Sequence, residues 1–201
     1  MLNGKFLKKG EYTRHTILEK AFEISYKKGY QSTSVDDIIA LTSVSKGSFF
    51  YHFKNKDEMG LAMINEIMYP GMYKALVIPL NENKPATQSI YDMIKSILIE
   101  DPAFDPRYGC PAVNIIEEMA PLNTSFNKAL SRLIDEMQNT LEEVLTRGKK
   151  AGQICKELNV KESSVFIITS YMGIRNLGKL YGVDCYQVYL KELKRYLSSI
   201  E

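Results

Sequence analysis

The chain has 201 residues, 45% hydrophobic and 25% charged, which is ordinary for a folded globular protein with a substantial core. Three widely separated cysteines (Cys110, Cys155, Cys185) and two histidines argue against a disulfide framework or a metal centre, and no apolar run approaches the roughly 18 residues of a membrane span. The net charge of +2 is unevenly spread: residues 1–56 hold ten Lys/Arg against five Asp/Glu (+5), the remainder sixteen against nineteen (−3). A basic head on a slightly acidic body suits a nucleic-acid binder, although a solvated lysine-rich surface has the same balance. With no leader pattern at its start, the chain is expected to be cytoplasmic with reduced thiols.

Residues 1–12 contain Lys5, Lys8 and Lys9 and little that can pack, so they read either as a basic arm along phosphates or as a plain disordered terminus. From Thr13 to Lys28, Ile17, Leu18, Ala21, Phe22 and Ser25 recur at helical spacing, and Gly29 is a fitting stop. Ser34 with Asp37 three residues on predicts a capped helix start, and Val35, Ile38, Ile39 and Leu41 supply its apolar positions. Thr42-Ser43-Val44 breaks the period. Ser45 then caps a second short helix with Phe49 and Phe53 on its back and Lys46, Gly47, Ser48 and Tyr51 on its front. Small and hydrogen-bonding residues with one cation suit a major groove roughly 12 Å wide. The stretch is a helix-turn-helix.

The residues themselves sharpen this reading. Thr13-Arg14, Ile17-Leu18, Ala21-Phe22, Gly29-Tyr30, Ser34-Val35-Asp36-Asp37-Ile38, Val44-Ser45-Lys46-Gly47-Ser48 and Tyr51-His52-Phe53-Lys54-Asn55-Lys56 closely resemble the DNA-binding domain of TetR-family transcriptional regulators. The resemblance covers about the first 60 residues. It departs at Ser43, where the family's turn usually has glycine, and at Phe50, where a phosphate-bonding tyrosine is common. It implies a DNA-binding set of Ser34, Ser45, Lys46, Gly47, Ser48, Phe50, Tyr51, His52 and Lys56, with His52 open to a second reading as a helix-packing residue.

Asn55 with Glu58 predicts the next helix start, and Met59, Ala62, Met63 and Ile67 carry that helix toward Pro70, which either ends it or serves as a pivot. No Gly/Ser-rich linker intervenes, so head and body are expected to join rigidly. The body reads as helices over Thr87–Glu100, from Cys110-Pro111 to Pro121, from an Asn123 or Thr124 cap to Gly152, from Lys161 to Tyr181, and from an Asp184 cap to the end. Sustained two-residue alternation is missing, and the fold class is all-α: a three-helix head over 1–54 and a larger helical domain over 55–201, for which the resemblance implies effector binding and dimerisation.

In the last helix Tyr186, Tyr189, Leu190, Leu193, Tyr196, Leu197 and Ile200 form one apolar stripe. In the helix before it Ser164, Ser170 and Gly173 interrupt the apolar residues. By periodicity the pair is either intramolecular core or half of a four-helix bundle about a two-fold axis. The family resemblance implies the second, a homodimer.

Catalytic chemistry lacks a constellation. The pairs Glu117-Glu118 and Glu142-Glu143 read as solvated faces, Cys110 as either a reactive thiol near a helix start or a small buried residue, and no catalytic residue, cofactor or metal is assigned. The resemblance implies an unidentified small-molecule effector among the body helices. Candidate lining residues are Met93, Cys110, Met119, Met137, Met172, Arg175 and Asn176, the methionines serving equally well as core and Arg175 as a residue facing solvent or a carboxylate. The function expected is a repressor on an inverted-repeat DNA operator, with a helical protein-interaction module, its basic head on an acidic partner, as the alternative.

Overall fold

The structure, a computed structural model, describes residues 9–201, and the regular elements among them are all helices. The all-α architecture is as expected. Packing divides the chain into two compact units: one ends at Pro70 and takes in Ile115–Ala129, and the other is Gly71–Asn114 with Leu130–Glu201.

In the first unit, α1 (Lys9–Lys28) packs on α2 (Val35–Ala40), α3 (Lys46–His52) and α4 (Lys56–Met63). Lys5 and Lys8 of the expected basic arm lie outside the described residues, while residues 9–12 form no arm: they are the first turn of α1. Ile17, Leu18 and Ala21 of α1 are buried, as are Ile38, Phe49, Phe53 and Met59, so the four helices share one core. Each such phenylalanine or isoleucine contributes about 1.5–3 kcal/mol through the water it excludes.

The turn between α2 and α3 closes without a left-handed residue. Thr42 Oγ1 donates to the Ile39 carbonyl (3.0 Å) and accepts from the Val44 N–H (3.3 Å). Among the described residues no non-glycine φ is positive, so Ser43 replaces the usual glycine without strain.

Pro70 does not end the fourth helix. A π turn over Ile64–Met68 follows α4, and α5 (Tyr69–Leu76) then runs through the proline. The widened turn shifts the hydrogen-bond register just before Pro70, so a residue with no N–H sits in the first turn of α5, where none is required.

In the second unit, α6 (Ala86–Lys95) ends in a π turn over Ser96–Glu100, and a 3₁₀ turn over Pro106–Tyr108 leads to α7 (Pro111–Met119), which runs on into the first unit, as does the start of α8 (Thr124–Lys150). Of the two caps considered for α8, Asn123 serves: its Oδ1 accepts from the N–H groups of Ser125 (2.9 Å) and Phe126 (3.4 Å). The chain then forms α9 (Val160–Tyr181) and α10 (Val183–Ser199). Gly182, at φ 63° and ψ −151°, is at once the end cap of α9 and the start cap of α10. Asp184 is therefore a first-turn residue and not the cap, because only the glycine adopts the backbone this short hairpin needs.

Most of the stripe on α10 is intramolecular core, with Tyr189 and Tyr196 half-buried at its edge. Tyr186, Leu190, Leu193, Leu197 and Ile200 are all at most 6% exposed, so they are spoken for within one chain. A different set of apolar side chains faces outward: Val165, Phe166, Leu177, Leu180 and Tyr181 on α9, and Val183 and Val188 on α10. Gly173 lies on this outer surface, whereas Ser164 is wholly buried.

Candidate nucleic-acid interface

α3 has a buried back and an open front. Phe49 and Phe53 are 0% and 1% exposed, with ring centroids 5.6 Å apart. Ser45 begins the helix by accepting the Ser48 N–H at 3.2 Å. On the front, Lys46 and Gly47 are exposed, Ser48 is half-buried, and Phe50 and Tyr51 are 48% and 84% exposed. His52 stands edge-on to Tyr51, centroids 5.1 Å apart, and is half-buried. The bare Cα of Gly47 leaves the start of α3 flat beside its neighbours.

Ion pairs and rings hold this helix from behind. The Arg14 guanidinium lies 5.0 Å over the Phe53 ring and forks onto the Glu66 carboxylate, its Nη2 at 2.7 Å from Oε1. Both arms of this contact come from α1 and the π turn after α4, so α3 is held by two other elements.

The remaining proposed contacts are partly engaged within the protein. Ser34 donates both its N–H (2.8 Å) and its hydroxyl (2.7 Å) to Asp37 Oδ2 and accepts the Asp37 N–H, a complete capping box. Those two donors, with Lys28 Nζ at 3.0 Å from the same oxygen, pull the Asp37 carboxyl from its ordinary 3.8 to about 2. Lys56 Nζ donates to the Gln31 carbonyl (3.2 Å) and sits 4.5 Å over the Tyr30 ring. Burial holds its ammonium below the usual lysine range. Tyr30 in turn bonds the Lys56 carbonyl and the Asp57 carboxylate, both at 3.0 Å, and burial beside that carboxylate raises its phenol far above normal.

Two acidic residues have roles that their sequence neighbourhood hid. Glu118, expected on a solvated face, accepts the backbone N–H groups of Tyr30 (3.1 Å) and Gln31 (2.6 Å) and fixes the loop between α1 and α2. Their separation of 88 and 87 residues leaves no local signal for it. Asp36 pairs its Oδ1 with Lys46 Nζ at 2.8 Å, across the turn. In the sequence this carboxylate stands ten residues from Lys46, and only the folding of α2 onto α3 makes them partners. Glu142 also departs from the solvated reading, accepting from Gln138 and Ser164.

The residues named for an effector are dispersed. Met119 belongs to the first unit and the other six to the second. Met93, Cys110, Met119 and Met137 are buried, while Met172 and Asn176 are half-buried. Arg175 does not face solvent: it is 0% exposed, donating to the Phe104 carbonyl (2.9 Å), the Gly109 carbonyl and the Tyr186 hydroxyl (3.4 Å), between the Phe104 and Tyr186 rings. Through Gly109 it comes beside Cys110, whose thiol is pushed up by burial, so the small-buried-residue reading of that cysteine is the one realised. A surface depression of about 560 Å³ on α10, lined by Lys191, Lys194, Arg195, Ser198 and Ser199, includes none of the seven. Among the described residues no cluster of three metal-ligating side chains occurs, and no helix is long and apolar enough to cross a membrane.

Two short helices across a strain-free turn, the second with an open polar front, define a helix-turn-helix DNA-binding transcriptional regulator. Residues 17–63 match the model described as bacterial regulatory proteins, tetR family, and residues 90–189 match the tetracyclin repressor-like C-terminal domain. An uncharacterized HTH-type transcriptional regulator of Lactococcus lactis subsp. lactis is 31% identical over 67% of this chain and 68% of its own. The HTH-type transcriptional repressor DhaR of Mycobacterium sp. (strain GP1) is 24% identical over 80% of this chain and 79% of its own. The crystal structure of a TetR-family regulator from Cytophaga hutchinsonii shares the fold at a TM-score of 0.87 and 21% identity, covering 98% of both chains. The chain belongs to the TetR family, a family of transcriptional regulators.

Proposed function

We propose that the chain is a homodimeric, cytoplasmic repressor that binds an inverted-repeat DNA operator and is released by a small-molecule effector. Residues 1–54 dock on DNA, and residues 55–201 carry the effector and the dimer contact. The observation that carries this reading is the polarity of α3, with Phe49 and Phe53 inside and Lys46, Gly47, Phe50 and Tyr51 outside. Repression is supported by the name of the DhaR relative, a transcriptional repressor. Dimerisation is supported by the outward apolar side chains of α9 and α10.

In this reading Ser45, Lys46, Gly47, Ser48 and Phe50 meet the groove floor, and Tyr51 and His52 meet its phosphate wall. The Ser34 hydroxyl reaches phosphate only by giving up Asp37, whereas Lys56 donates a single N–H to the Gln31 carbonyl and has others to offer. Two such helices must sit roughly 34–36 Å apart, or a multiple of that, to enter grooves on one face of B-DNA. The effector acts by binding a differently spaced state more tightly, by about 1–3 kcal/mol for a typical coupling. Within the second unit, Met93, Cys110, Met137, Met172, Arg175 and Asn176 are its proposed neighbourhood.

DNA selected from a randomised duplex pool provides the test. Affinity for it should fall steeply with salt through counterion release and should exceed affinity for bulk DNA. Lys46→Ala should reduce affinity for the selected duplex by about 1–3 kcal/mol if Lys46 reads a guanine. Absence of both the salt slope and the sequence preference would return the chain to the alternative, a module whose head binds an acidic protein.

A further inference from the structure

The groove-facing front of α3 has one lysine, and its ammonium is already in use. Lys46 Nζ lies 2.8 Å from Asp36 Oδ1, the two side chains being 62% and 74% exposed. Asp36 is the second residue of α2, and the Ser34–Asp37 capping box closes that helix without it. The Asp36 carboxylate thus reaches across the turn to the start of α3, the end of the helix read here as entering the groove. A pair this exposed is weak and readily exchanged for another acceptor.

We propose that Asp36 is a specificity-determining residue that acts by exclusion; the proposal rests on the reading of α3 as the groove helix. On unmatched DNA, Lys46 leaves one carboxylate only to meet a solvated phosphate, so little is gained. The freed Asp36 then faces the polyanion, a like-charge contact that disfavours docking. At a guanine in the right place, O6 and N7 take two of the three ammonium donors and the third stays on Asp36, so the carboxylate remains neutralised there. The carboxylate therefore lowers affinity for all duplexes but lowers it most where no matching base is present. Discrimination comes from a repulsive group beside the reading residue, in addition to the attraction of the residue itself.

The test compares wild type, Asp36→Asn and Asp36→Glu by fluorescence anisotropy on two probes: the duplex selected by the wild type and the unselected random pool. Asp36→Asn should bind the random pool about three- to tenfold more tightly at low salt, with a much smaller change on the selected duplex. Its salt slope on the random pool should steepen by about one unit for each recognition helix. Asp36→Glu, which keeps the charge, should stay near wild type. Asp36 is exposed and outside the cap, so the melting curve should hold for both variants. An equal change on both probes, or none, overturns the proposal, because the pair is then a solvated surface contact. A loss confined to the selected duplex also overturns it, since Asp36 would then touch a base directly. If the wild type itself does not distinguish the probes, the groove-helix reading fails first, a result that is recognisable before any variant is measured.

Discussion

At the scale of single residues, the core of the first unit turns on the absence of one methyl group. A Cβ on Gly60 would lie 2.5 Å from Tyr30 Oη and 2.8 Å from Phe126 Cζ. Both rings are buried and packed on each other at 5.2 Å, and Tyr30 is further tied through its hydroxyl and by the Lys56 ammonium above it. Neither neighbour is the free end of a flexible chain. In an open helix, Gly→Ala would stabilise by about 0.5–1 kcal/mol. Here overpacking dominates, and Gly60→Ala should destabilise by about 1–3 kcal/mol in urea unfolding. A stabilised variant would mean that Tyr30 is much looser than its contacts imply.

At the scale of elements, α2 is a helix of six residues that depends on its first turn. So short a helix has few internal hydrogen bonds to offset the ordering of its backbone, and the capping box supplies what propagation cannot. Because folding depresses the Asp37 carboxyl from 3.8 to about 2, its contribution is fully present above about pH 4. It is lost as the pH falls through about 2, when the folded carboxyl takes up its proton. Ser34→Ala removes the hydroxyl that both donates to Asp37 and accepts from it, and should cost about 0.5–2 kcal/mol at neutral pH. The NMR titration midpoint of Asp37 should rise toward 3.8 in that variant, though not reach it, since Lys28 and the Ser34 N–H still hold the same oxygen. An unmoved midpoint would show that the hydroxyl does nothing for this carboxylate.

At the scale of the whole molecule, the proposed dimer rests on side chains that the folded chain leaves outside. Phe166, Leu177 and Leu180 of α9 are 51%, 46% and 74% exposed, and Gly173 between them leaves open space where a second helix could approach. Aspartate at Leu177 and Leu180 would bury charge without a partner in such an interface but remain solvated in a monomer. The double variant should therefore sediment as a monomer with an unchanged helical spectrum, and should lose most of its affinity for the selected duplex because each short α3 then binds alone. A variant that sediments like the wild type would remove α9 from the interface.

The sequence by itself determined the local architecture. Cap residues and 3.6-residue periodicity act within a few positions, so Ser34, Ser45 and Asn55 could be read as the starts of α2, α3 and α4, and Phe49 with Phe53 as the buried back of α3. The same locality made the helix-turn-helix and its family recognisable. What only the tertiary structure decided are the partners of polar groups and the sidedness of apolar ones. Whether the α10 stripe covers its own chain or a copy is invisible to periodicity, because both bury the same face. Arg175 looked like an interruption of an apolar helix, yet backbone carbonyls near Phe104 and Gly109, some seventy residues away, hold it inside. Glu118 and Asp36 owe their roles to segments that folding alone brings beside them. A hydrogen bond needs its partner within about 3 Å, and that closeness belongs to the folded chain, not to any stretch of it.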